Sequence, residues 1–431
     1  MGVGNGSNWF YAYLPQGISG GATSTLILLF AYALGGNLVG VGIIAAATSL
    51  ASVPSYMLWG TLSDRLGHRK PFLLIGFAGT GIALVAMSAS RTLSEFYLAN
   101  VLAGCLGSAS GPAGTVLLLE TSEPKEWPSR LAILSRITAA GWTVGLALAA
   151  AWLAINPGFF GGSIPAMRVL FLLGAGLSVA ASLIVLVATP EVSVNVDRTR
   201  VAIPDPNPRV ERVRYLPMRI LHFIVPGGSG PGRMPHSLRV YLACMFLWFA
   251  GFTAFYGFFP IFLAQAYGLG SSQIFAIYIA SQIASILAYP RVAGWVSTRG
   301  SGPTQLYGSV GRSVLFGSFF LLGLVGIRDL LQLSLILVLH AGVGVCWALI
   351  NVASSTFVSS LAPGARRARA VGAFNAVQGF GSILGPLAGG FAAGFLGYGA
   401  AFATSMALVL AGSVVLWAAR IGTREKGREK H

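Results

Sequence analysis

The sequence predicts an all-α membrane protein with twelve transmembrane helices in two pseudo-symmetric six-helix bundles. Three observations predict it. Charged residues make up 9% of the 431 positions and apolar residues 55%, whereas about 25% of an ordinary soluble chain is charged. The apolar residues fall in runs such as 71–90 and 166–189, which hold no acidic residue and only Arg168 near one end; about 20 such residues as a helix cross a bilayer. One polar segment rich in Pro and Arg, 191–237, cuts the chain near its middle.

Taken in order, the runs place spans near 9–34, 38–62, 71–90, 94–119, 129–154 and 166–189, then near 238–264, 271–296, 304–327, 330–358, 367–393 and 398–420. The first eight residues hold no Lys or Arg, so no cleavable signal peptide is expected and the first run stays as a helix. Short loops make neighbouring helices antiparallel. The expected organisation is an N-terminal bundle over 1–190, a cytoplasmic linker over 191–237, a C-terminal bundle over 238–420 and a basic cytoplasmic tail over 421–431. Within the linker, Val210, Val213, Leu216, Ile220 and Ile224 recur at helical spacing between Arg209, Arg212, Arg214 and Arg219. That is the pattern of an amphipathic helix on the inner leaflet, broken near Pro217; a solvated tether is the alternative.

The net charge of +16 sits in the loops rather than along one face, which argues against nucleic acid and for anionic headgroups as its partner. With the amino terminus inside, 22 of the 28 Lys and Arg fall on the cytoplasmic side, so both termini are expected there, in the plasma membrane. Cys105, Cys244 and Cys346 lie in three different spans and form no loop pair for a disulfide. The five histidines have no metal-ligand spacing, and no Gly-rich loop precedes a Lys-Ser or Lys-Thr pair. No metal, no cofactor, no ATP coupling and no catalytic group set is expected.

Between the second and third spans runs Gly60-Thr-Leu-Ser-Asp64-Arg65-Leu-Gly67-His68-Arg69-Lys70. A worn copy, Gly294-Trp-Val-Ser297-Thr298-Arg299-Gly300, follows the eighth span. The first stretch resembles the signature loop of the major facilitator superfamily, and the repeat suits two halves related along the membrane normal. The resemblance covers the whole chain and implies a transporter that works by alternating access. Physically, Gly60 allows close helix approach and Gly67 a tight turn. Asp64 is expected to face the start of the eleventh span near Ala370, while Arg69 pairs with Glu120 or Glu123. With Arg65, these residues form an expected conformational latch. The eleventh span also carries Gly372 and Gly381-Ser-Ile-Leu-Gly385-Pro386-Leu-Ala-Gly389-Gly390. It resembles the glycine-proline motif of drug antiporters, though in the wrong half, and it equally suits close helix packing.

The resemblance implies a central cavity lined by spans 1, 2, 4, 5, 7, 8, 10 and 11. Polar side chains at helical spacing on those spans are the substrate-cavity candidates. They are Tyr13 and Gln16; Asn100; Tyr278, Gln282 and Ser285; His340, Trp347 and Asn351; and Asn375 and Gln378. The seventh span adds Trp248, Phe252 and Tyr256 from an aromatic-rich run. The three arginines within spans, Arg136, Arg291 and Arg312, are read as shallow and expected to snorkel to the headgroups; contact with an anionic ligand is the alternative for Arg136 and Arg291, while Arg312 lies on a span that the resemblance places outside. No Asp or Glu lies near a midplane. Any proton coupling is therefore expected through His340 or through the peripheral Glu95, Glu120 and Asp64. The function expected is secondary or facilitated transport of a small organic solute by a monomer, with efflux of amphipathic compounds favoured. The alternatives are uptake of a sugar-like or organic-anion solute, and a non-transporting receptor or scaffold.

Overall fold

The computed structural model describes residues 8–123, 126–156, 163–189, 235–325, 329–361 and 366–420. The linker and the basic tail, with the surface helix expected in the former, lie outside the described residues, as do the side chains of Asp64, Arg65 and Ala370. After one turn of 3-10 helix at Asn8–Ala12, the first half consists of α1 (Tyr13–Ala33), α2 (Leu38–Leu66), α3 (Lys70–Ala89), α4 (Leu93–Gly107), α5 (Ser110–Glu120), α6 (Trp127–Ile155) and α7 (Ser163–Ala188). The second half consists of α8 (His236–Tyr267), α9 (Ser271–Arg299), α10 (Ser301–Val325), α11 (Asp329–Leu361), α12 (Arg366–Phe391) and α13 (Tyr398–Ala418), with a π-helical turn at Ala392–Leu396. Helices α4 and α5 together make one span with a break at Ser108 and Ala109, so the thirteen α-helices among the described residues give twelve crossings. Eleven of these are long and apolar enough to cross a membrane. The first, α1, is not among them because glycines and hydroxyls fill its middle.

Local chemistry explains the boundaries. Asn37 starts α2 from an extended backbone, its side chain accepting the Gly40 N–H at 2.8 Å. Thr92 caps α4 by accepting from the Glu95 N–H at 3.3 Å, and Glu95 reaches back to the Arg91 N–H at 2.7 Å. Gly67 ends α2 at φ 66°, a left-handed conformation that costs glycine least. The signature residues Gly60 to Leu66 are thus the last turns of α2, and the worn copy forms the last turns of α9, both expected as loops. Large apolar side chains such as Val187, 87% exposed, and Leu330, 77% exposed, cover the outer surface, which only a lipid surround tolerates.

The two halves pack alike. In the first, α1 lies against α6 and α7, α3 against α4 and α7, and α2 against α4. In the second, α8 lies against α12 and α13, α10 against α11 and α13, and α9 against α11. Substituting α1 by α8, α2 by α9, α3 by α10, α4 by α11, α6 by α12 and α7 by α13 turns one set into the other. The two seams between the halves, α2 with α12 and α6 with α9, exchange under the same substitution.

Bare backbone makes the tightest crossings possible. A Cβ on Gly21 would stand 2.0 Å from the Trp142 carbonyl oxygen of α6, and one on Gly389 would stand 2.2 Å from the Ala254 carbonyl oxygen of α8. The glycine-proline stretch of the eleventh span is therefore a packing ridge along α8.

Candidate functional site

A cavity of about 440 Å³ lies between the halves. The first half lines it with Ser24, Thr25 and Leu28 of α1 and Trp142 and Leu146 of α6. From the second half come Phe249, Phe252, Thr253 and Tyr256 of α8, and Tyr278, Ser281, Gln282 and Ser285 of α9. Arg312 of α10 and His340 and Trp347 of α11 complete it. Most of this wall is apolar or aromatic, with a few convergent polar groups, which is the usual character of a small-molecule site.

Arg312 reaches the cavity because α10 presses closely on α11. A Cβ on Gly308 would stand 2.9 Å from the Cys346 carbonyl oxygen, and one on Gly311 would stand 3.1 Å from the Cys346 Sγ. The guanidinium carbon sits 4.2 Å from the Phe252 ring centroid, 5.4 Å from that of Trp347 and 5.5 Å from that of Tyr256. Nε and Nη1 are buried with no hydrogen-bond partner among the described residues.

His340 is 1% exposed. Its Nδ1 lies 3.0 Å from the Ile277 carbonyl oxygen. A carbonyl can only accept, so Nδ1 carries the proton, and in the neutral ring Nε2 is left as an acceptor. Nε2 has no partner among the described residues. The ring stacks on Phe259 at 5.5 Å, with Tyr278 at 5.1 Å. Ser285, beside it, donates to the Gly344 carbonyl oxygen at 2.7 Å, tying α9 to α11.

Of the residues singled out in the sequence, Phe252, Tyr256, Tyr278, Gln282, Ser285, His340 and Trp347 come together on this cavity. Trp248 does not; its Nε1 donates to the Val409 carbonyl oxygen at 3.1 Å, inside the second half. Tyr13 donates to the Ser110 carbonyl oxygen at 2.9 Å and packs on Phe77, inside the first half. Gln16 lies two turns before Ser24 on α1, with its Oε1 buried and without a hydrogen-bond partner among the described residues. Asn100 is fully buried, accepting from Thr48 Oγ1 at 2.8 Å. Asn351 is exposed and donates to the Tyr289 hydroxyl at 3.2 Å. Asn375 is exposed and Gln378 half-buried, and neither lines the cavity. Arg136 and Arg291 are exposed and also lie off the cavity. The arginine on it is Arg312, which the sequence reading sent to the headgroups. The correction has a physical reason: Arg312 stands at the middle of the 25-residue α10, too deep to snorkel out.

At the end of the bundle near Gly67, Arg69 holds Glu120 through Nη2–Oε1 at 2.7 Å and Nε–Oε2 at 3.2 Å, and donates to Ser63 Oγ at 2.9 Å. This pair joins α3 to α5 within one half, so it is not itself a contact between halves. Glu120→Ala is expected to lower the thermal unfolding midpoint of the detergent-solubilised protein. The loss should be about 1–3 kcal/mol, below that of a fully dry pair because the Glu120 side chain is 21% exposed. An unchanged midpoint would show that the pair contributes nothing.

Comparison with known proteins follows the same lines. The family model described as Major Facilitator Superfamily matches residues 9–364. A multidrug transporter of Aspergillus fumigatus is 27% identical over 110 residues, 26% of this chain and 18% of that protein. A tetracenomycin C resistance and export protein of Streptomyces glaucescens is 31% identical over 96 residues, 22% of this chain and 18% of that protein. The matched stretches thus span under a fifth of either relative. Among solved structures, the nucleoside transporter NupG superposes with a TM-score of 0.72 at 16% identity, covering 96% of this chain and 98% of that one. The human organic anion transporter MFSD10 superposes at 0.64 with 17% identity, covering 95% and 98%. At these identities the likeness is one of fold.

Proposed function

We propose, from the premise that this chain belongs to the Major Facilitator Superfamily, that it exports amphipathic small organic compounds from the cytoplasm by alternating access. The observation that carries the reading is the cavity itself. Both halves line it, so their relative rotation changes which side of the membrane it opens to, and its aromatic wall suits a body with one apolar face. Export finds support in two relatives, one named a multidrug transporter and the other a resistance and export protein. Sugar uptake finds less, because hydroxyls on this wall such as those of Ser24, Thr253 and Ser285 are already committed to backbone carbonyls.

In this arrangement the end remote from Gly67 is closed. Gln265 Nε2 at the end of α8 donates to the Tyr32 hydroxyl of α1 at 2.6 Å, and the Tyr398 hydroxyl donates to Gln265 Oε1. At that same end, a Cβ on Gly42 of α2 would come 2.5 Å from the Pro386 carbonyl oxygen of α12. With both termini placed in the cytoplasm by the charge bias, the closed end is the outer one. A single copy of the chain holds the complete cavity, so a monomer suffices.

The reading is tested with purified protein in liposomes. A lipophilic dye should leave the compartment that the termini face, and an imposed pH gradient should speed its export severalfold. Removal of His340, or of the peripheral Glu95, Glu120 and Asp64, should lose the gradient-driven part while keeping downhill flux. Equal export by protein-free liposomes would remove the transporter reading. Full gradient coupling in His340→Gln would move the proton to another group.

A further inference from the structure

We propose that Arg312 is the binding group for an acidic function on the solute, so that the cavity takes amphipathic organic acids: an apolar, preferably aromatic body bearing one carboxylate or similar anion. The proposal rests on the transporter reading and names its substrate class.

The first ground is an unbalanced charge. Arg312 is 3% exposed and stands eleven residues from the start of α10, about 16 Å along the helix. A cation held that deep is expensive unless paired. Among the described residues no carboxylate pairs with it, and its hydrogen-bonded neighbour is the Tyr256 phenol. Between Glu211 and Glu425 the sequence has a single acidic residue, Asp329, which begins α11 eleven residues before His340. The polar groups within electrostatic reach of the guanidinium are the Tyr256 phenol, the His340 imidazole and the Cys346 thiol, none of them a carboxylate.

The second ground is geometry. Rings offer the guanidinium their faces, which steadies the charge while leaving N–H groups unused. The buried Nε and Nη1 are such groups; they lie on different edges of the guanidinium, and a carboxylate binds one edge through two parallel N–H donors, Nε with Nη2 or Nη1 with Nη2. Within the same cavity the unpartnered Nε2 of His340 is an acceptor in the neutral ring. It would take a hydroxyl or amine donor from the same solute. Phe249, Phe252 and Trp347 supply the apolar wall for its body.

The test uses the full chain in detergent and three probes with one body: 2-naphthoate, 2-naphthamide and (2-naphthylmethyl)trimethylammonium. Thermal stabilisation by 2-naphthoate should reach half its maximum at a concentration about thirtyfold or more below that of the amide. That preference should vanish in Arg312→Met, which should still respond to the amide, and should survive in reduced form in Arg312→Lys. The proposal is overturned if the amide or the ammonium matches 2-naphthoate in the unaltered protein. It is also overturned if chloride or sulfate does so, or if Arg312→Met keeps the preference. Flux in liposomes separates this from the transporter reading. Arg312-dependent binding without flux of any probe leaves the site and removes transport; flux of the ammonium but not of 2-naphthoate does the reverse.

Discussion

Arg312→Met is expected to make the ligand-free protein more stable and to silence it toward acids, a pair of effects that a packing residue would not produce together. Among the described residues the guanidinium has no ion pair, its Nε and Nη1 lack hydrogen-bond partners, and the Tyr256 phenol is its hydrogen-bonded neighbour. Its ring contacts, four within 5.6 Å, recover about 2 kcal/mol. Against that stands a cost of roughly 2.5–3.5 kcal/mol for arginine at the centre of a membrane helix. Methionine fills a similar volume and makes its own contacts with aromatic rings. The difference predicts a gain near 1 kcal/mol, seen as a small rise in the unfolding midpoint without ligand. A fall of several degrees would mean that the cation is compensated within the protein and is not held open for a ligand.

A second large effect is expected at the α2–α12 seam. A Cβ placed on Gly390 would stand 2.9 Å from the Gly42 Cα and 3.0 Å from the Leu38 carbonyl oxygen. Gly390→Val therefore collides with backbone, which cannot rotate away as a side chain can. Overpacking of this kind costs about 1–3 kcal/mol. Here it falls on the state closed at that end and not on a state in which α2 and α12 part. The population should shift toward the open form by about 5- to 150-fold, and turnover should fall to near background because closure is part of every cycle. Ser24→Cys, in a chain whose Cys105, Cys244 and Cys346 are replaced, reports this directly, since Ser24 lines the cavity. Its reaction with an impermeant maleimide added from the side opposite the termini should quicken in the Gly390→Val background. Unchanged labelling would show that the seam does not gate access.

Much of the fold was legible because it follows from one physical demand. In hydrocarbon, backbone polar groups must be satisfied within each segment, so apolar runs of sufficient length become helices. The cavity was legible in part. Side chains four or seven apart share a helix face, which is why His340 and Trp347 meet in one place, as do Tyr278, Gln282 and Ser285. Depth along that face was harder to read. Gln16 and Gly20 point along the line that continues to Ser24, but only Ser24 reaches the level of the cavity. Asn351 lies one turn past Trp347 and has already left it. The sequence reads Arg312 as shallow and on an outer helix, whereas it stands at mid-helix and faces inward. Its signal was present in Gly308 and Gly311, which bring α10 close enough to α11 for a long side chain to pass. Hydropathy does not register such a gap.

An unbalanced charge in the cavity has an electrical consequence. Under the proposed alternating access, the cavity takes the potential of the face it opens to, so Arg312 would move through part of the field as the halves rock, although the side chain itself hardly travels. A unit charge crossing the whole field gains about 2.3 kcal/mol per 100 mV. An interior-negative voltage thus draws the empty carrier toward its inward-open form. A bound monoanion cancels the charge, and the loaded carrier crosses without feeling the voltage. On the proposed export cycle, the cell's potential would set the speed of the return stroke and not of the export stroke.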